Sequence, residues 1–323
     1  MRRGVQVALW AISLAFVVGI GVLSTSQHTL TLAIQTMMLA ALALSWNILG
    51  GYAGQISLGH AAFFGLGALI TREMWLGGTP LPLAILVAVA VTTIAAAIVG
   101  IPMLRFRDIY FAIGTLALGV AVFITAGNLW PGITSLPADD LRGYSFTGRY
   151  FMTLGVLLTA IAVSLWLKHS KVGLGMMAVR EDEEAAGATG VNAFAHKMMA
   201  FVISAALAAL AGSAFAFFSG NYFPSFPFSV IWTFEAILVV FIGGLGTIVG
   251  PILGSLFFVI GRDALPSGID ELQVVLFGLL FMIVVFLMPG GLTEATQRLL
   301  GRVSRTGPSP AEKPTTRGGK ELV

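Results

Sequence analysis

The residues of this chain that could do chemistry are few, mostly uncharged, and gathered in one stretch. SWNILGGYAGQISLGHAAFFGLG, residues 45–67, carries Asn47, Gln55, Ser57 and His60 in apolar surroundings, with no formal charge. Six glycines punctuate it: Gly50, Gly51, Gly54, Gly59, Gly65 and Gly67. Glycine lets a backbone turn sharply, and small residues let membrane helices pack closely. Amide, hydroxyl and imidazole groups at such a break need protein or water around them, because lipid satisfies none of them. Two roles fit. The four side chains line a low-affinity path for a polar solute, or they hydrogen-bond helices together at ~0.6 kcal/mol on average.

Glu235 is the one carboxylate well inside an apolar run, and intramembrane ionisable groups read as functional by default. Counted from Ser229 at ~1.5 Å per residue, it lies roughly 9 Å below the end of its run, where it lines the path or ties helices together. Other chemistries lack their residues. The absence of cysteine excludes disulfides, thiolate metal sites and cysteine nucleophiles. His28, His60, His169 and His196 have no metal-ligand spacing. No cluster of His, Asp and Ser stands at catalytic spacing, so the chain does not read as an enzyme. A phosphate loop needs G-x4-G-K-[ST]. Here Gly319-Lys320 is followed by Glu321, so ATP hydrolysis must come from another subunit and no cofactor is expected in this chain.

A second polar feature is KHSKVGLGMMAVREDEEAAGATGVNAFAHK, residues 168–197, the only long charged loop. Gly173 and Gly175 precede a helix predicted from Met176 to about Ala188, ended by Gly190. It mixes Arg180, Glu181, Asp182, Glu183 and Glu184 with the small Ala185, Ala186 and Ala188. Such a helix suits a partner's groove, with the small face fitted closely and the charges setting register. The plainer alternative is a solvated link between two spans. Further on, Gly243-Gly244-x-Gly246 echoes Gly50-Gly51-x-x-Gly54. Paired interruptions can mark an inverted repeat, but both fall at the same end of their preceding spans, so the echo reads as packing chemistry.

The elements that hold these residues follow from composition. The 323 residues are 57% hydrophobic and 10% charged, against roughly 25% charged in soluble domains. Apolar runs near the ~20 residues of a bilayer span read as an all-α polytopic membrane protein. They cover about 1–23, 30–50, 58–77, 81–104, 109–129, 150–167, 198–219, 229–243, 246–261 and 271–288. The first is too long for a signal-peptide core and lacks a clear cleavage site, so it reads as a retained span. Charge settles whether 229–261 counts as one pass or two. With two, both termini lie in the cytoplasm and 14 of the 18 Lys and Arg face inward, leaving Arg72, Arg142, Arg149 and Arg262 outside. Short-loop charge bias sets orientation, so about ten transmembrane helices with both ends inside fits best. The 229–243 and 246–261 pair is then short, either re-entrant or steeply packed. Residues 1–291 form the transmembrane domain, with 168–197 as a cytoplasmic loop; 292–323 read as a largely disordered cytoplasmic tail. Residues 45–67 become a break at the cytoplasmic end of one span, a packing and gating element beside the path.

Four segments now carry a family likeness. They are WNILGGYAGQISLGHAAFFGLGA (46–68), RDIYFAIGTLALG (107–119), GLGMMAVREDEEAAGATGVN (173–192) with Lys197 and AFVISAALAALAG (200–212), and SVIWTFEAILVVFIGGLGTIVGPILG (229–254). In this order they resemble the membrane permeases of ATP-binding-cassette importers for branched-chain amino acids, of the LivM type. The resemblance implies a type-II importer permease fold in a bacterial inner (cytoplasmic) membrane. It makes the 176–190 helix the ATPase coupling element through Arg180, Glu181, Asp182, Glu184, Ala185, Ala186 and Gly190. Glu184-Ala185-Ala186 with Gly190 also matches the core of the broader importer "EAA-x3-G" loop, whose downstream hydrophobic part is not clearly present. Implied partners are a second homologous permease, two cytoplasmic ATPases holding ATP and Mg, and an external or periplasmic solute-binding protein. Implied cargo is a branched-chain amino acid or a small relative such as urea or an amide. The competing classes are an ion-coupled secondary transporter, which would want several buried carboxylates, and a channel, which would leave the charged loop unexplained.

Overall fold

In the computed structural model the described residues are 26–130, 134–135 and 145–264, with isolated positions 19, 21, 278 and 282. The first run, most of the 130–149 loop, the 271–288 run and the 292–323 tail lie outside them.

Caps and prolines set the helix starts. Ser26 accepts from the Thr29 N–H to open α1 (Gln27–Asn47), which continues as a π-helical turn over Ile48–Tyr52. α2 is His60–Leu76. Pro80 precedes α3 (Leu81–Met103), and after the charged stop comes α4 (Asp108–Leu129). Ser145 caps α5 (Phe146–His169). Two short helices follow, α6 (Lys171–Glu181) and α7 (Glu183–Ala188). Asn192 caps α8 (Ala193–Phe218). Beyond a 3-10 turn at Phe226–Phe228 lie α9 (Val230–Gly243) and α10 (Val249–Asp263). A small antiparallel ladder pairs β1 (Thr134–Ser135) with β2 (Asn221–Tyr222).

Five of these helices are long and apolar enough to cross a membrane: α1 with its π turn, α3, α4, α5 and α8. α1 is 78% buried and α3 and α4 only 28%, so α1 is a core post while α3 and α4 carry the outer apolar surface. α8 packs on α2, α3, α1 and α5. Its contact with α2 is backbone to backbone. A Cβ on Gly67 would strike the Ala209 carbonyl, and one on Gly212 would strike the Phe64 carbonyl. Thr71 donates to Ser213 across the same seam at 2.8 Å.

The chain has two distinct ends. At the strand end, beside β1 and β2, Arg72 is wholly buried and its guanidinium donates to the carbonyls of Ala216, Ser219 and Gly220 at 3.0–3.1 Å. Ala216 is in the last turn of α8, whose carbonyls lack intrahelical donors, and Ser219 and Gly220 follow it directly; a cation there also complements the helix dipole. Arg149 adds a bond to Phe217 O at 2.9 Å and lies over the Phe217 ring. Burial pushes the Tyr222 hydroxyl above its ordinary range, so it stays neutral beneath Arg72. At the opposite, loop end sit α6, α7, the π turn and the α9–α10 connection.

Two expectations shift. The first break was placed at Gly50-Gly51, yet the helix runs on in π form to Tyr52, and the irregular segment is 53–59. The single helix predicted from Met176 to Ala188 is two helices. Asp182 is extended (φ −158°, ψ 112°) and its carboxylate accepts from the N–H groups of Glu184 and Ala185 at 2.9 Å. An aspartate bonding the backbone ahead of it starts a helix rather than continuing one. Gly173 and Gly175 lie inside α6, where their missing side chains admit Leu167 and His196.

Candidate functional site

The loop-end site is built from two glycine breaks that meet. Asn47, the last residue of α1, is 1% exposed. Its Oδ1 accepts from Gly246 N at 2.8 Å and its Nδ2 donates to Thr247 O at 2.9 Å. One amide thus ties the end of α1 to the α9–α10 connection, 200 residues away. A Cβ on Gly51 would overlap Asn47 Oδ1. Gly244 and Gly246 have φ of 122° and 76°, conformations that favour glycine.

Arg180 joins the two breaks to the charged loop. Its Nη1 donates to Gly51 O, its stem lies against Gly54, and Nη1 is also the nearest group to a Cβ built on Gly246. The side chain is 35% exposed. The guanidinium that ends α6 therefore holds the π-turn side of the junction that Asn47 ties to the α9–α10 connection from inside. Around it lies a cavity of about 310 Å³ lined by Gly54, Gln55, Arg107, Asp108, Asp182 and Lys197 among others. Lys197 Nζ bonds Glu183 Oε2 at 2.7 Å, which pins the start of α7 to the first turn of α8. Ala186 is 5% exposed and faces this packing, whereas Glu181, Glu184, Ala185, Ala188 and Gly190 are exposed.

The other sequence candidates separate. His60 is wholly buried, with Nε2 3.1 Å from Ser45 Oγ. Ser57 is buried too; its carbonyl accepts from Trp46 Nε1 at 2.8 Å, and among the described residues its hydroxyl has no hydrogen-bond partner. Gln55 is half-buried at the rim of the loop-end cavity. Gly59 lies under the Thr115 carbonyl, and Gly243 packs on Gly250. Glu235 stands apart at the strand end, where Arg262 Nη1 donates to its Oε1 at 3.2 Å. Residues 45–67 are thus brought together with Arg180 and Gly243–Thr247, and Glu235 is not.

Several contributors escaped the sequence reading. Thr233 Oγ1 accepts from Ala61 N at 2.8 Å, and Thr115 Oγ1 accepts from Leu58 N at 3.1 Å. These hydroxyls from α9 and α4 satisfy N–H groups at and just before the start of α2. Their spacing along the sequence holds no sign of this. Thr247 and Lys197 stood in the segments that carry the family likeness but were given no contact of their own, for the same reason. Among the described residues no group of His, Cys, Asp and Glu could hold a metal ion.

The family described as branched-chain amino acid transport system / permease component matches residues 28–285. The high-affinity branched-chain amino acid transport permease LivM of Escherichia coli is 31% identical over 310 residues, covering 84% of this chain and 71% of the relative. The high-affinity branched-chain amino acid transport permease BraD of Pseudomonas aeruginosa is 26% identical, covering 76% of this chain and 89% of its own length. LivH of Escherichia coli is 32% identical over 138 residues, or 42% of this chain and 44% of LivH. No solved structure matches significantly.

Proposed function

The chain belongs to the branched-chain amino acid transport permease family, a multi-pass membrane protein, and from that membership we propose that it is one of two homologous translocation subunits of an ATP-driven importer. The loop end faces the cytoplasm, with about ten spans and both termini inside. Two separate ATPases bind ATP and Mg and dock on 176–190. An external binding protein delivers solute at the strand end, near 130–149 and 220–228. The cargo is a branched-chain or other hydrophobic amino acid; a small amide or urea is the next class to test. The membrane is the bacterial inner membrane.

The observation that carries the coupling role is the Arg180 contact with Gly51, Gly54 and Gly246. A push on α6 or α7 reaches the ends of α1 and α9 through one side chain. Family membership supports the rest, including a second permease of the LivH kind. Because Ala186 faces inward, a docking test belongs on the exposed face instead.

Uptake into proteoliposomes holding both permeases, the ATPases and the binding protein is the test. Leucine should accumulate only with internal or external ATP at the ATPase side. Uptake that persists without ATP and follows an ion gradient would overturn the proposal. Ala185→Trp should cut substrate-stimulated ATP hydrolysis at least tenfold while the melting temperature of the complex stays within a few degrees; unchanged stimulation would remove α7 from the docking surface.

A further inference from the structure

A second cavity, of about 190 Å³, opens at the strand end. Its wall is mainly apolar, with Met38, Leu39, Phe215, Phe226, Trp232 and Val259. Set into that wall are four polar side chains: Glu235, Arg262, Gln35 and Ser229, the last of which caps α9. Arg262 Nη1 lies 3.2 Å from Glu235 Oε1, and Nη2 makes only a long contact, 3.5 Å, with Gln35 Oε1. The Glu235 side chain is 17% exposed and that of Arg262 35%.

Stability does not explain this pair. Replacing a buried ion pair by apolar side chains is often neutral or stabilising, because desolvation cancels the attraction. Inside a membrane span the charges are dearer still. Here both line an open volume instead of being packed over. A guanidinium has five donors, and the two bonds to Glu235 and Gln35 leave capacity on the cavity side. The cavity size is also restrictive, since a 150 Å³ apolar cavity accommodates benzene (about six carbons).

The geometry points to this cavity as a transient subsite for a zwitterionic aliphatic amino acid. The ammonium meets the Glu235 carboxylate, the carboxylate meets the Arg262 guanidinium, and the side chain lies against Met38, Leu39 and Phe215. Entry replaces one ion pair by two, and total charge in the cavity stays at zero. A solute with a single charge leaves one protein charge without its new partner, which favours zwitterions over acids or amines of the same shape. This rests on the transport reading for its cargo class but not for its geometry.

The test uses the full complex of both permeases and ATPases in lipid nanodiscs, without binding protein or ATP. A diazirine-bearing leucine is photolysed, and the adducts on this chain are mapped by mass spectrometry. Adducts should fall within 35–39, 215–235 and 258–262. Excess leucine should suppress them, while 4-methylpentanoate (no ammonium) and 3-methylbutylamine (no carboxylate) should need at least tenfold higher concentration. Glu235→Gln should lower labelling at least tenfold and erase the advantage of leucine over 4-methylpentanoate. A purely structural role would shift the melting temperature and leave that ratio unchanged. The wild-type competition needs no variant, so a Glu235→Gln chain that fails to fold does not remove the test. Adducts elsewhere in this chain, equal competition by singly charged analogues, or wild-type labelling in a folded Glu235→Gln complex would each overturn the subsite. If ATP-driven uptake is intact in those cases, the transport reading survives. If labelling is as expected but uptake is absent, the subsite stands and the transport reading falls.

Discussion

The two ends of the molecule use arginine in opposite ways. At the strand end Arg72 is wholly buried, and it and Arg149 donate to the carbonyls that finish α8. At the loop end Arg180 is about one-third exposed and reaches a single carbonyl at a π-helical turn, with glycines on either side. The first clamp holds four carbonyls, those of Ala216, Phe217, Ser219 and Gly220. The carbonyl of Gly51 lies beside a polar cavity of about 310 Å³, where water can replace the guanidinium. The first arrangement fixes a helix end. The second can be made and broken within a cycle.

The largest effect should come from Arg72→Met, which keeps much of the side-chain bulk but strands three carbonyls. Each buried acceptor left unpaired costs about 1–3 kcal/mol, so unfolding in detergent should move to markedly lower denaturant or temperature. A change below 1 kcal/mol would mean that the strand end is not the rigid one. Next is Asn47→Leu, which removes two hydrogen bonds between α1 and the α9–α10 connection. Unsatisfied buried groups cost about 1–3 kcal/mol, and the loss should appear as faster amide exchange at 244–248 with the strand end unaffected. Spread of that exchange to 216–222 would merge the two ends into one unit. The smallest stability effect belongs to Arg180→Gln, under about 1 kcal/mol, as for a screened surface contact. Its coupling effect should be large: basal ATP hydrolysis persists, but solute-stimulated hydrolysis falls roughly tenfold. Normal stimulation would assign transmission to another contact.

How much of this could be read from the sequence varies with distance along the chain. Helix starts at Leu81, Asp108 and Val230 were legible because Pro80, the RFRD stop and Ser229 are local signals. The irregular segment after Tyr52 was visible in its glycines. The break at Asp182 was legible in principle, since an aspartate followed by Glu183-Glu184-Ala185 has the pattern of a helix start, but four acidic residues in a row obscured it. Contacts such as Arg180 to Gly51, Asn47 to Gly246 and Thr233 to Ala61 join residues 129, 199 and 172 apart. No periodicity records such pairings. Asn47 and His60 were open to both a lining and a clamp role because an amide and an imidazole do both; only their partners decide. Glu235 was conspicuous as a carboxylate in a span, yet Arg262 beside it looked like an ordinary flanking charge.

α9 and α10 lie antiparallel, with Gly243 against Gly250 and Gly254 against the Val239 carbonyl. At ~1.5 Å per residue, their 14 and 15 residues give helices about 21–23 Å long, short of a ~30 Å hydrocarbon core. The tip of this hairpin touches Asn47 and Arg180, while its open end holds the Glu235–Arg262 pair. One hairpin therefore lines the strand-end cavity with its open end and meets Arg180, a wall residue of the loop-end cavity, with its tip.

The seam between α2 and α8 has a consequence for how the protein is made. Thr71 and Ser213 are separated by 142 residues, so α2 leaves the ribosome long before its partner exists. At about 5–20 residues per second, it waits roughly 7–30 s with its glycine face and Arg72 uncovered. During that interval the nascent chain is a set of helices without their central seam, dependent on the insertion machinery to shelter a buried arginine. Completion of α8 is thus the step that turns a string of inserted segments into an assembled protein.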